Sequence, residues 1–288
     1  MKALIFGAGG QIGRALVRGA PADAELTAFD RESCDISAPD DVERAIAAAQ
    51  PAFVFNAAAF TAVDRAETEA DAAQAINGRA PGLIASSARL HGARTIHIST
   101  DFVFAGRASR PYRPADPVEP LSVYGRTKLE GERAVIAEDP EALVLRTAWV
   151  HSAQGANFLL TMLRLMRERG QVSVVSDQVG TPTSADTVAR TLWDLAIGGA
   201  KGIYHQTDAG AATWYDFAVA IGEEAFAAGL LPAPPKVIPI GTEDFPTPAL
   251  RPAFSLLDKR ATWAFLGYAP PHWRQSLRAV IRELATLG

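Results

Sequence analysis

The 288-residue sequence predicts an α/β fold in which a doubly wound parallel sheet is followed by a smaller C-terminal lobe. Three observations lead to this prediction. Short apolar runs alternate with helical patterns through the first half, a glycine-rich stretch follows the first run directly, and the alternation loosens after about residue 150. Together they indicate a layered main domain with a second, less regular unit behind it.

The predicted strands of the first half are almost continuously apolar. A strand that is apolar on both faces is typical of a parallel sheet covered by helices on each side, and this is the reason for the predicted fold class. Helical patterns separate the strands over residues 11–19, 40–49, 68–91 and 122–138. The five strand runs are "ALIFG" (3–7), "ELTAFD" (25–30), "AFVFNAA" (52–58), "TIHIST" (95–100) and "ALVLRT" (142–147).

The second half of the chain is less regular. Prolines interrupt residues 232–252, where they break regular structure. We predict a main domain over residues 1–150 and a smaller lobe over 151–288, from which a segment can return to the main sheet. The helical patterns of this half lie over residues 156–169, 213–228 and 271–286.

Charge and cysteine content exclude several classes of partner and site. With 28 Lys and Arg against 32 Asp and Glu residues, the net charge is −4, which gives no support for nucleic acid or an anionic membrane. No apolar run reaches the roughly 18 residues of a transmembrane helix. The single cysteine, Cys34, cannot form an internal disulfide, which predicts a cytoplasmic protein. None of the 5 histidines forms an H-x-x-x-H pair, so no zinc site is predicted.

The stretch "FGAGGQIG" joins the first predicted strand to the first helix. Gly7, Gly10 and Gly13 have the spacing G-x-x-G-x-x-G, which differs from the commonest dinucleotide fingerprint. The physical requirements are the same: a tight turn, backbone amides that can approach a pyrophosphate, and a helix N-terminus that attracts its charge. A merely tight turn is the alternative. The position of the stretch favours a Rossmann-like dinucleotide-binding domain over residues 1–150.

Candidate cofactor ligands follow the second and third strands. Asp30 ends the second strand, where a carboxylate can accept hydrogen bonds from the adenosine ribose, which favours NAD. Arg31 can tolerate a 2′-phosphate, so NADH and NADPH both stay open. Asp35 and Ile36 can flank the adenine. Small residues after the third strand leave room for a cofactor, although close helix–sheet packing is the alternative. This third group is Ala57, Ala58, Ala59, Phe60 and Thr61.

A tyrosine and a lysine stand four places apart in "YGRTK", on one face of a predicted helix. A free phenol has a pKa of about 10, and we expect the Lys128 ammonium to lower the pKa of Tyr124 so that it can exchange a proton near neutrality. Thr100 ends the fourth strand, where it can hold a carbonyl oxygen. The spacing alone is also typical of a surface helix. Together with the glycine loop it favours proton transfer to a carbonyl while a nicotinamide supplies hydride.

These motifs, in this order, resemble the extended short-chain dehydrogenase/reductase family, and more narrowly its dTDP-4-dehydrorhamnose reductases. The resemblance covers nearly the whole chain. It implies a nicotinamide-dependent oxidoreductase acting on a dTDP-sugar, with the second half as a substrate-binding lobe. The stretches that carry it are "FGAGGQIG", "NAAAFTAVDRAE", "STDFVFAG", "YGRTKLEGE", "LRTAWVH", "NFLLTMLRL", "DQVGTPT", "TWYDFA" and "PTPALRP".

The resemblance also implies roles for individual residues. Tyr124 would be the proton donor, Lys128 its partner and ribose ligand, and Thr100 the third catalytic residue. Cofactor contacts would come from the glycine loop, including Gln11 and Ile12, and from the residues after the second and third strands. Substrate contacts would come from Thr100, Asp101, Trp149, Asn157, Phe158 and Arg251.

The chain departs from the family pattern in two places. Some members use a first-helix carboxylate for a magnesium-bridged dimer; here Ala15 stands at that position, and only Asp186 matches a second such carboxylate. This difference argues against a metal site and against that mode of dimerisation, while a homodimer stays open. Phe60 and Phe102 stand where a histidine and a tyrosine are frequent, and we expect these changes to alter the pocket without removing the chemistry.

The implied reaction is NADPH- or NADH-dependent reduction of the C4 ketone of dTDP-4-dehydro-L-rhamnose to dTDP-L-rhamnose. Another nucleotide-sugar reductase or an epimerase is the nearest alternative. An alternative from a different class is a regulatory subunit resembling the non-catalytic β subunit of methionine adenosyltransferase. The intact set of Thr100, Tyr124 and Lys128 favours an enzyme.

Overall fold

The fold of residues 1–287, described by a computed structural model, is built on a six-stranded parallel sheet with the strand order β10-β5-β4-β3-β1-β2. Three two-stranded ribbons, β11-β8, β12-β7 and β6-β9, lie outside it. The predicted α/β fold with a parallel sheet is confirmed. The strands are β1 (Lys2–Phe6), β2 (Glu25–Phe29), β3 (Phe53–Asn56), β4 (Arg94–Thr100), β5 (Leu143–Thr147), β6 (Val150–His151), β7 (Gln171–Val175), β8 (Val179–Gly180), β9 (Thr183–Ser184), β10 (Gly202–His205), β11 (Ala212–Thr213) and β12 (Lys236–Ile240).

Helices cover both faces of the main sheet and build the second lobe. Short 3₁₀ turns follow β4 at Asp101–Val103 and β12 at Thr242–Asp244. The α-helices are α1 (Gln11–Arg18), α2 (Pro39–Ala49), α3 (Val63–Ala66), α4 (Ala70–Ala73), α5 (Ala80–Leu90), α6 (Val123–Glu138), α7 (Phe158–Arg169), α8 (Ala185–Ile197), α9 (Trp214–Ala227), α10 (Arg260–Leu266) and α11 (Trp273–Leu287). Within residues 1–287, none of them combines the length and apolar character that a membrane span requires.

The inner strands β1, β3, β4 and β5 are buried on both faces, as their apolar runs predict, whereas the edge strand β2 is partly exposed. In β1, Ile5 packs into a core shared with Trp193 of α8, while the neighbouring Phe6 packs on the opposite face with Ile46 of α2 and Ile84 of α5. Successive side chains of a strand point to opposite faces, so an all-apolar strand needs a helical layer on each side. Because these strands run parallel, the carboxyl ends of β1, β3, β4 and β5 lie along one edge of the sheet.

The helix predicted over residues 68–91 differs from the observed structure in its middle. Ala70–Ala73 and Ala80–Leu90 are α-helical, but Gln74–Arg79 form a π-helical segment between them. Helix α6 packs closely on this segment, because a Cβ on Gly131 would lie 2.1 Å from the Asn77 carbonyl oxygen. Only glycine at this position of "KLEGE" allows so close an approach. The contact fixes α6, the helix of Tyr124, against its neighbour.

The second half contributes both to the main sheet and to a separate core. Residues 185–205 run along the main sheet as α8 and then enter it as β10, which pairs in parallel with β5. The remaining helices α7, α9 and α11 enclose their own apolar core with β7. Its fully buried members include Leu159, Phe217, Ile221, Leu277 and Ile281.

Candidate active site

The glycine loop turns sharply between β1 and α1. Gly7 has a positive φ of +80°, a conformation that residues with a side chain rarely adopt. A Cβ on Gly13 would lie 2.1 Å from the Gly7 carbonyl oxygen, so the first turn of α1 contacts the loop directly. The first turn of a helix presents backbone amides without helical partners, which here belong to Gln11 and Ile12. This arrangement fits a pyrophosphate at the helix N-terminus.

Asp30 stands beside that loop at the end of β2. A Cβ on Gly9 would lie 3.4 Å from Asp30 Cβ. Asp30 Oδ1 accepts hydrogen bonds from the Ser33 hydroxyl (2.7 Å) and the Ser33 amide (3.0 Å), and these bonds lower the pKa of the Asp30 carboxyl. The carboxylate is therefore ionised and fixed at the end of β2 next to the glycine loop, with Arg31 exposed beside it.

Asp35 and Ile36 occupy different environments. Asp35 is exposed, and its Oδ1 accepts from the Ser37 hydroxyl (2.7 Å), which lowers the pKa of its carboxyl. Ile36 is 6% exposed and belongs to the core that contains Leu4 and Phe6. The Ile36 side chain is therefore part of the core under the segment that follows β2, while the Asp35 side chain lies on the protein surface.

The turn after β3 is held by the sheet and by the π-helical segment. The Ala57 amide donates to the Phe6 carbonyl (2.9 Å), and the Phe60 amide donates to Asn77 Oδ1 (2.8 Å). Asn77 Nδ2 donates back to the Phe60 carbonyl (3.0 Å). Ala57, Ala58, Ala59 and Phe60 are half-buried and Thr61 is exposed, so the turn forms part of the wall at the carboxyl edge of the sheet.

Thr100 and Tyr124 come together at the carboxyl end of β4. Thr100 Oγ1 accepts from the Phe102 amide (3.2 Å) and donates to Asp101 Oδ1 (3.0 Å). The Tyr124 ring packs edge-on against the Phe102 ring, with centroids 5.5 Å apart. Burial raises the pKa of Tyr124 to about 12; the Thr100 hydroxyl acts in the lowering direction and the charge of Asp101 in the raising one. At neutral pH the phenol holds its proton.

The predicted lowering of the Tyr124 pKa is wrong, and Lys128 is not among the groups that shift it. Burial of the phenol is the largest influence and raises its pKa, because the anionic form loses hydration. The Lys128 amine is buried, donates to the Ile98 carbonyl (2.6 Å) and lies 3.4 Å from His97 Nε2. Burial lowers the pKa of Lys128 itself to about 8, with Glu132 acting in the raising direction. The pair therefore combines a protonated phenol with a lysine close to its titration point.

A serine and a carboxylate hold the N-terminus of α6, the helix that carries this pair, and a second carboxylate, Asp101, lies at the end of β4. Ser122 Oγ caps α6 by accepting from the Gly125 amide (3.2 Å), and Glu67 Oε1 accepts from the Val123 amide (2.8 Å). Negative charge at a helix N-terminus is stabilising. Asp101 is 2% exposed, and burial raises the pKa of its carboxyl to about 6. The Ser255 and Thr100 hydroxyls act on the same pKa in the lowering direction.

Aromatic rings cluster just after β5 and at the starts of α7 and α9. Trp149 stacks on Trp214 with ring centroids 3.5 Å apart and an angle of 6° between the planes. Phe158 contacts Trp214 at 4.6 Å between centroids. The backbone of Trp149 has φ +48°, which is rare for so bulky a residue and concentrates at functional sites. The structure brings Trp149 and Phe158 together, and Trp214 joins them although the sequence analysis gave it no role.

Asn157 links the lobe to the glycine loop. Its Oδ1 caps α7 by accepting from the Leu160 amide (3.0 Å), and its Nδ2 donates to Gln11 Oε1 (2.9 Å). Ser152 also donates to Gln11 Oε1 (2.9 Å). The side chains of Gln11 and Asn157 are therefore engaged with each other and position the loop.

Arg251 forms a bidentate ion pair with Asp64. Its Nη2 lies 2.8 Å from Asp64 Oδ2 and its Nη1 lies 3.1 Å from Asp64 Oδ1. The contact joins the proline-rich segment of the lobe to the first turn of α3, and it lowers the pKa of Asp64. Sequence reasoning missed Asp64 as the partner, since no spacing rule connects residues 187 positions apart.

Groups of side chains suited to a metal ion are absent from the part of the chain that the structure describes. Ala15 is 2% exposed on α1. Asp186, the candidate for a second carboxylate, forms an ion pair with Arg18. Cys34 is buried, and burial raises the pKa of its thiol, as befits an unreactive core residue.

A phenol at the carboxyl edge of a parallel sheet whose first strand ends in a glycine-rich loop is typical of a nicotinamide-dependent oxidoreductase, and this chain is of that class. The family model described as the RmlD substrate binding domain matches residues 1–286. Curated relatives named dTDP-4-dehydrorhamnose reductase are 39% identical in Burkholderia thailandensis and 39% identical in Escherichia coli K12, each over 99% of both chains. The chain belongs to the dTDP-4-dehydrorhamnose reductase family.

Solved structures of dTDP-4-dehydrorhamnose reductases are similar to this chain over nearly its whole length. A dTDP-4-dehydrorhamnose reductase from Clostridium acetobutylicum has a TM-score of 0.93 at 38% identity, over 99% of each chain. One from Bacillus anthracis, in complex with NADP, has a TM-score of 0.93 at 31% identity, over 98% of this chain and 99% of that one. UDP-glucose 4-epimerase from Thermus thermophilus, at 19% identity and TM-score 0.85 over 99% of each chain, shares the fold.

Proposed function

We propose that this protein reduces the C4 ketone of dTDP-4-dehydro-L-rhamnose to dTDP-L-rhamnose with NADPH or NADH. The observation that carries the proposal is the Thr100–Tyr124 pair at the carboxyl edge of β4, with a phenol that burial keeps protonated. A ketone reduction needs one proton at the carbonyl oxygen, and this phenol can supply it. The relatives named above support the choice of sugar nucleotide.

The residues around the ketone would have separate roles in proton transfer and in substrate binding. The bound nicotinamide would supply hydride to the C4 carbon. Tyr124 would donate its proton to the C4 oxygen, Thr100 would orient that oxygen by a hydrogen bond, and Lys128 would restore the proton of Tyr124. Asp101, next to Thr100 at the end of β4, would also contact the sugar.

Cofactor and nucleotide would lie on opposite sides of that pair. The amides of Gln11 and Ile12, with Gly7, Gly10 and Gly13, would hold the pyrophosphate, and Asp30 the adenosine ribose. Asp35, Ile36 and the Ala57–Thr61 turn would enclose the adenosine and nicotinamide. Trp149 would cover the apolar face of the deoxysugar. The dTDP group would lie toward Asn157, Phe158 and Arg251.

The test is net cofactor oxidation by the purified protein with dTDP-4-dehydro-L-rhamnose. We expect one NADPH or NADH oxidised for each sugar, with a C4 alcohol as the product. An epimerase would interconvert sugars without net oxidation, and a regulatory subunit would turn over nothing. Reactions without the sugar and with the matching UDP-sugar serve as controls. The proposal fails if no dTDP-4-ketosugar causes net oxidation of reduced cofactor.

A second candidate is a 4-ketoreductase for another dTDP-deoxysugar. It is favoured by a relative from Streptomyces antibioticus, 42% identical over 99% of this chain and 96% of its own, named a probable dTDP-4,6-dihydroxy-2-methyloxan-3-one 4-ketoreductase. The proton-transfer pair would serve both substrates equally. Competing the two ketosugars in one reaction and comparing kcat/KM separates the candidates.

A further inference from the structure

A chain of hydrogen bonds runs beneath the carboxyl edge of the sheet and ends on the Lys128 amine. Its members lie on three neighbouring elements, with Asn56 at the end of β3, His97 within β4 and Lys128 in α6. Their exposed fractions are 1%, 0% and 2%. Because these groups are almost fully buried, each donor needs an acceptor inside the protein.

A backbone amide at the Asn56 end determines which groups donate and which accept in this series of hydrogen bonds. The Ala58 amide donates to Asn56 Oδ1 (3.2 Å), which turns Asn56 Nδ2 toward His97. Asn56 Nδ2 lies 3.2 Å from His97 Nδ1, and since an amide nitrogen only donates, Nδ1 accepts. The network therefore assigns the imidazole proton to Nε2.

That Nε2–H group faces the nitrogen of Lys128, 3.4 Å away. Lys128 Nζ also donates to the Ile98 carbonyl (2.6 Å). A neutral amine has a lone pair that can accept from the Nε2–H group. An ammonium has no lone pair, so two donors would face each other. To accept a hydrogen bond from an ammonium, His97 Nε2 would have to lose its proton to Nδ1. That tautomer would leave Asn56 Nδ2 without an acceptor, or, if the Asn56 amide turned over, the Ala58 amide without one.

We propose that Asn56 and His97 are positioning residues that disfavour the ammonium form of Lys128 by presenting an N–H group to its nitrogen. The inference rests on the proposed function, in which Lys128 restores the proton of Tyr124. Each ketone reduction consumes one proton: the phenol gives it to the ketone oxygen, the lysine ammonium returns it to the phenolate, and solvent recharges the amine. A lysine whose two protonation states are close in free energy serves that exchange well.

The other titratable groups near Lys128 favour the opposite state. Glu132 lies one turn further along α6 and acts to raise the pKa of Lys128. Arg146 on β5 binds both oxygens of Glu132, at 2.8 and 2.7 Å, which weakens that influence. The phenolate form of Tyr124, once it has given up its proton, would favour the ammonium as well. Among the groups that face Lys128, His97 is the one whose hydrogen-bond polarity favours the neutral amine. Burial lowers the pKa of His97, with the charge of Lys128 acting in the same direction.

Asn56→Asp reverses the donor–acceptor direction of these hydrogen bonds with almost no change in side-chain shape. A carboxylate only accepts, so it can take the Ala58 amide with one oxygen and a His97 Nδ1–H group with the other. His97 Nε2 then offers a lone pair to the Lys128 ammonium. We expect the pKa of Lys128 to rise by about one unit or more. NMR titration of ¹³C-labelled lysine ε carbons measures it, with the Lys128 signal assigned by its loss in Lys128→Arg.

His97→Gln tests the same step without adding a charge, because the amide oxygen of Gln can turn toward the ammonium. We expect the same direction of change. In both variants the alkaline limb of kcat, near the Lys128 pKa of about 8 in the unaltered protein, should move to higher pH. A merely structural role would lower kcat without moving that limb.

Thr95→Val is the matched control. Thr95 lies on β4, is 0% exposed, and its hydroxyl has no hydrogen-bond partner within residues 1–287. We expect its Lys128 titration to match that of the unaltered protein. The inference is overturned if Asn56→Asp and His97→Gln are folded and active but titrate Lys128 at the original pH. A shifted Lys128 in a protein that oxidises no cofactor with any dTDP-4-ketosugar supports the relay and overturns the proposed function instead.

Discussion

The two walls of the proposed site are built by different interactions. On the β4–α6 side, buried polar groups hold one another, as in the Glu132–Arg146 ion pair, whose side chains are 2% and 3% exposed. On the lobe side, Trp149 and Trp214 stack ring on ring. Hydrogen bonds and ion pairs restrict distance and direction, whereas stacked rings mainly provide contact area.

This difference matches the two tasks of a ketone reductase. Proton transfer depends on the positions of a few atoms, and a small displacement slows it. Covering a deoxysugar depends on surface, which tolerates small displacements. We therefore expect changes on the polar wall to alter kcat or the free energy of unfolding, and changes on the aromatic wall to alter KM.

The largest expected effect comes from Tyr124→Phe, which removes the proton donor from the polar wall. We expect kcat to fall by about 10²- to 10⁴-fold, the contribution of a positioned general acid. Cofactor affinity, measured by fluorescence titration with NADPH, should stay the same. Tyr204→Phe, a half-buried tyrosine of β10 that packs on Phe265, is the control and should keep its activity. Near-normal turnover by Tyr124→Phe would show that another group donates the proton.

Arg146→Met tests the polar wall through folding. It leaves Glu132 buried without its partner, so we expect the free energy of unfolding to fall by about 3–5 kcal/mol in urea denaturation. The double variant Glu132→Leu with Arg146→Met should recover much of this loss, because no uncompensated charge stays buried. A loss below about 1 kcal/mol in the single variant would place this pair with weak surface ion pairs.

Trp214→Leu tests the aromatic wall and should have the smallest effect. It removes the ring on which Trp149 stacks, an interaction of roughly 0.5–1.5 kcal/mol. We expect KM for the sugar nucleotide to rise by up to about tenfold while kcat changes little. Phe226→Leu, an exposed position on the same helix, is the control. If kcat falls and KM does not, the separation between the two walls is incorrect.

Most of the fold was accessible from the sequence because periodicity reports burial directly. The runs that become β1 to β5 are apolar on both faces, and the structure covers both faces with helices. The break in the helix over residues 68–91 was not accessible. It depends on Asn77 reaching the Phe60 turn and on α6 approaching through Gly131, contacts made by residues far apart in the chain.

The candidate site was accessible in part. Thr100, Tyr124 and Lys128 could be selected because a strand end and a helix face place them at one edge of a parallel sheet. The direction in which the Tyr124 pKa shifts could not be predicted, since it depends on the burial of the phenol. A signal for His97 was present: a histidine between two isoleucines in a central strand is buried and needs a partner. The identity of that partner was not contained in the strand.

By itself, the sequence of this protein determined which residues form strands and helices, where the glycine loop turns, and which side chains can carry a proton. Those properties arise from neighbours a few positions apart. Only the tertiary structure decided which groups are desolvated, that Asn56 and His97 lead to Lys128, and that Arg251 meets Asp64. Hydrogen bonding and burial act through space, so the chain must fold before these interactions exist.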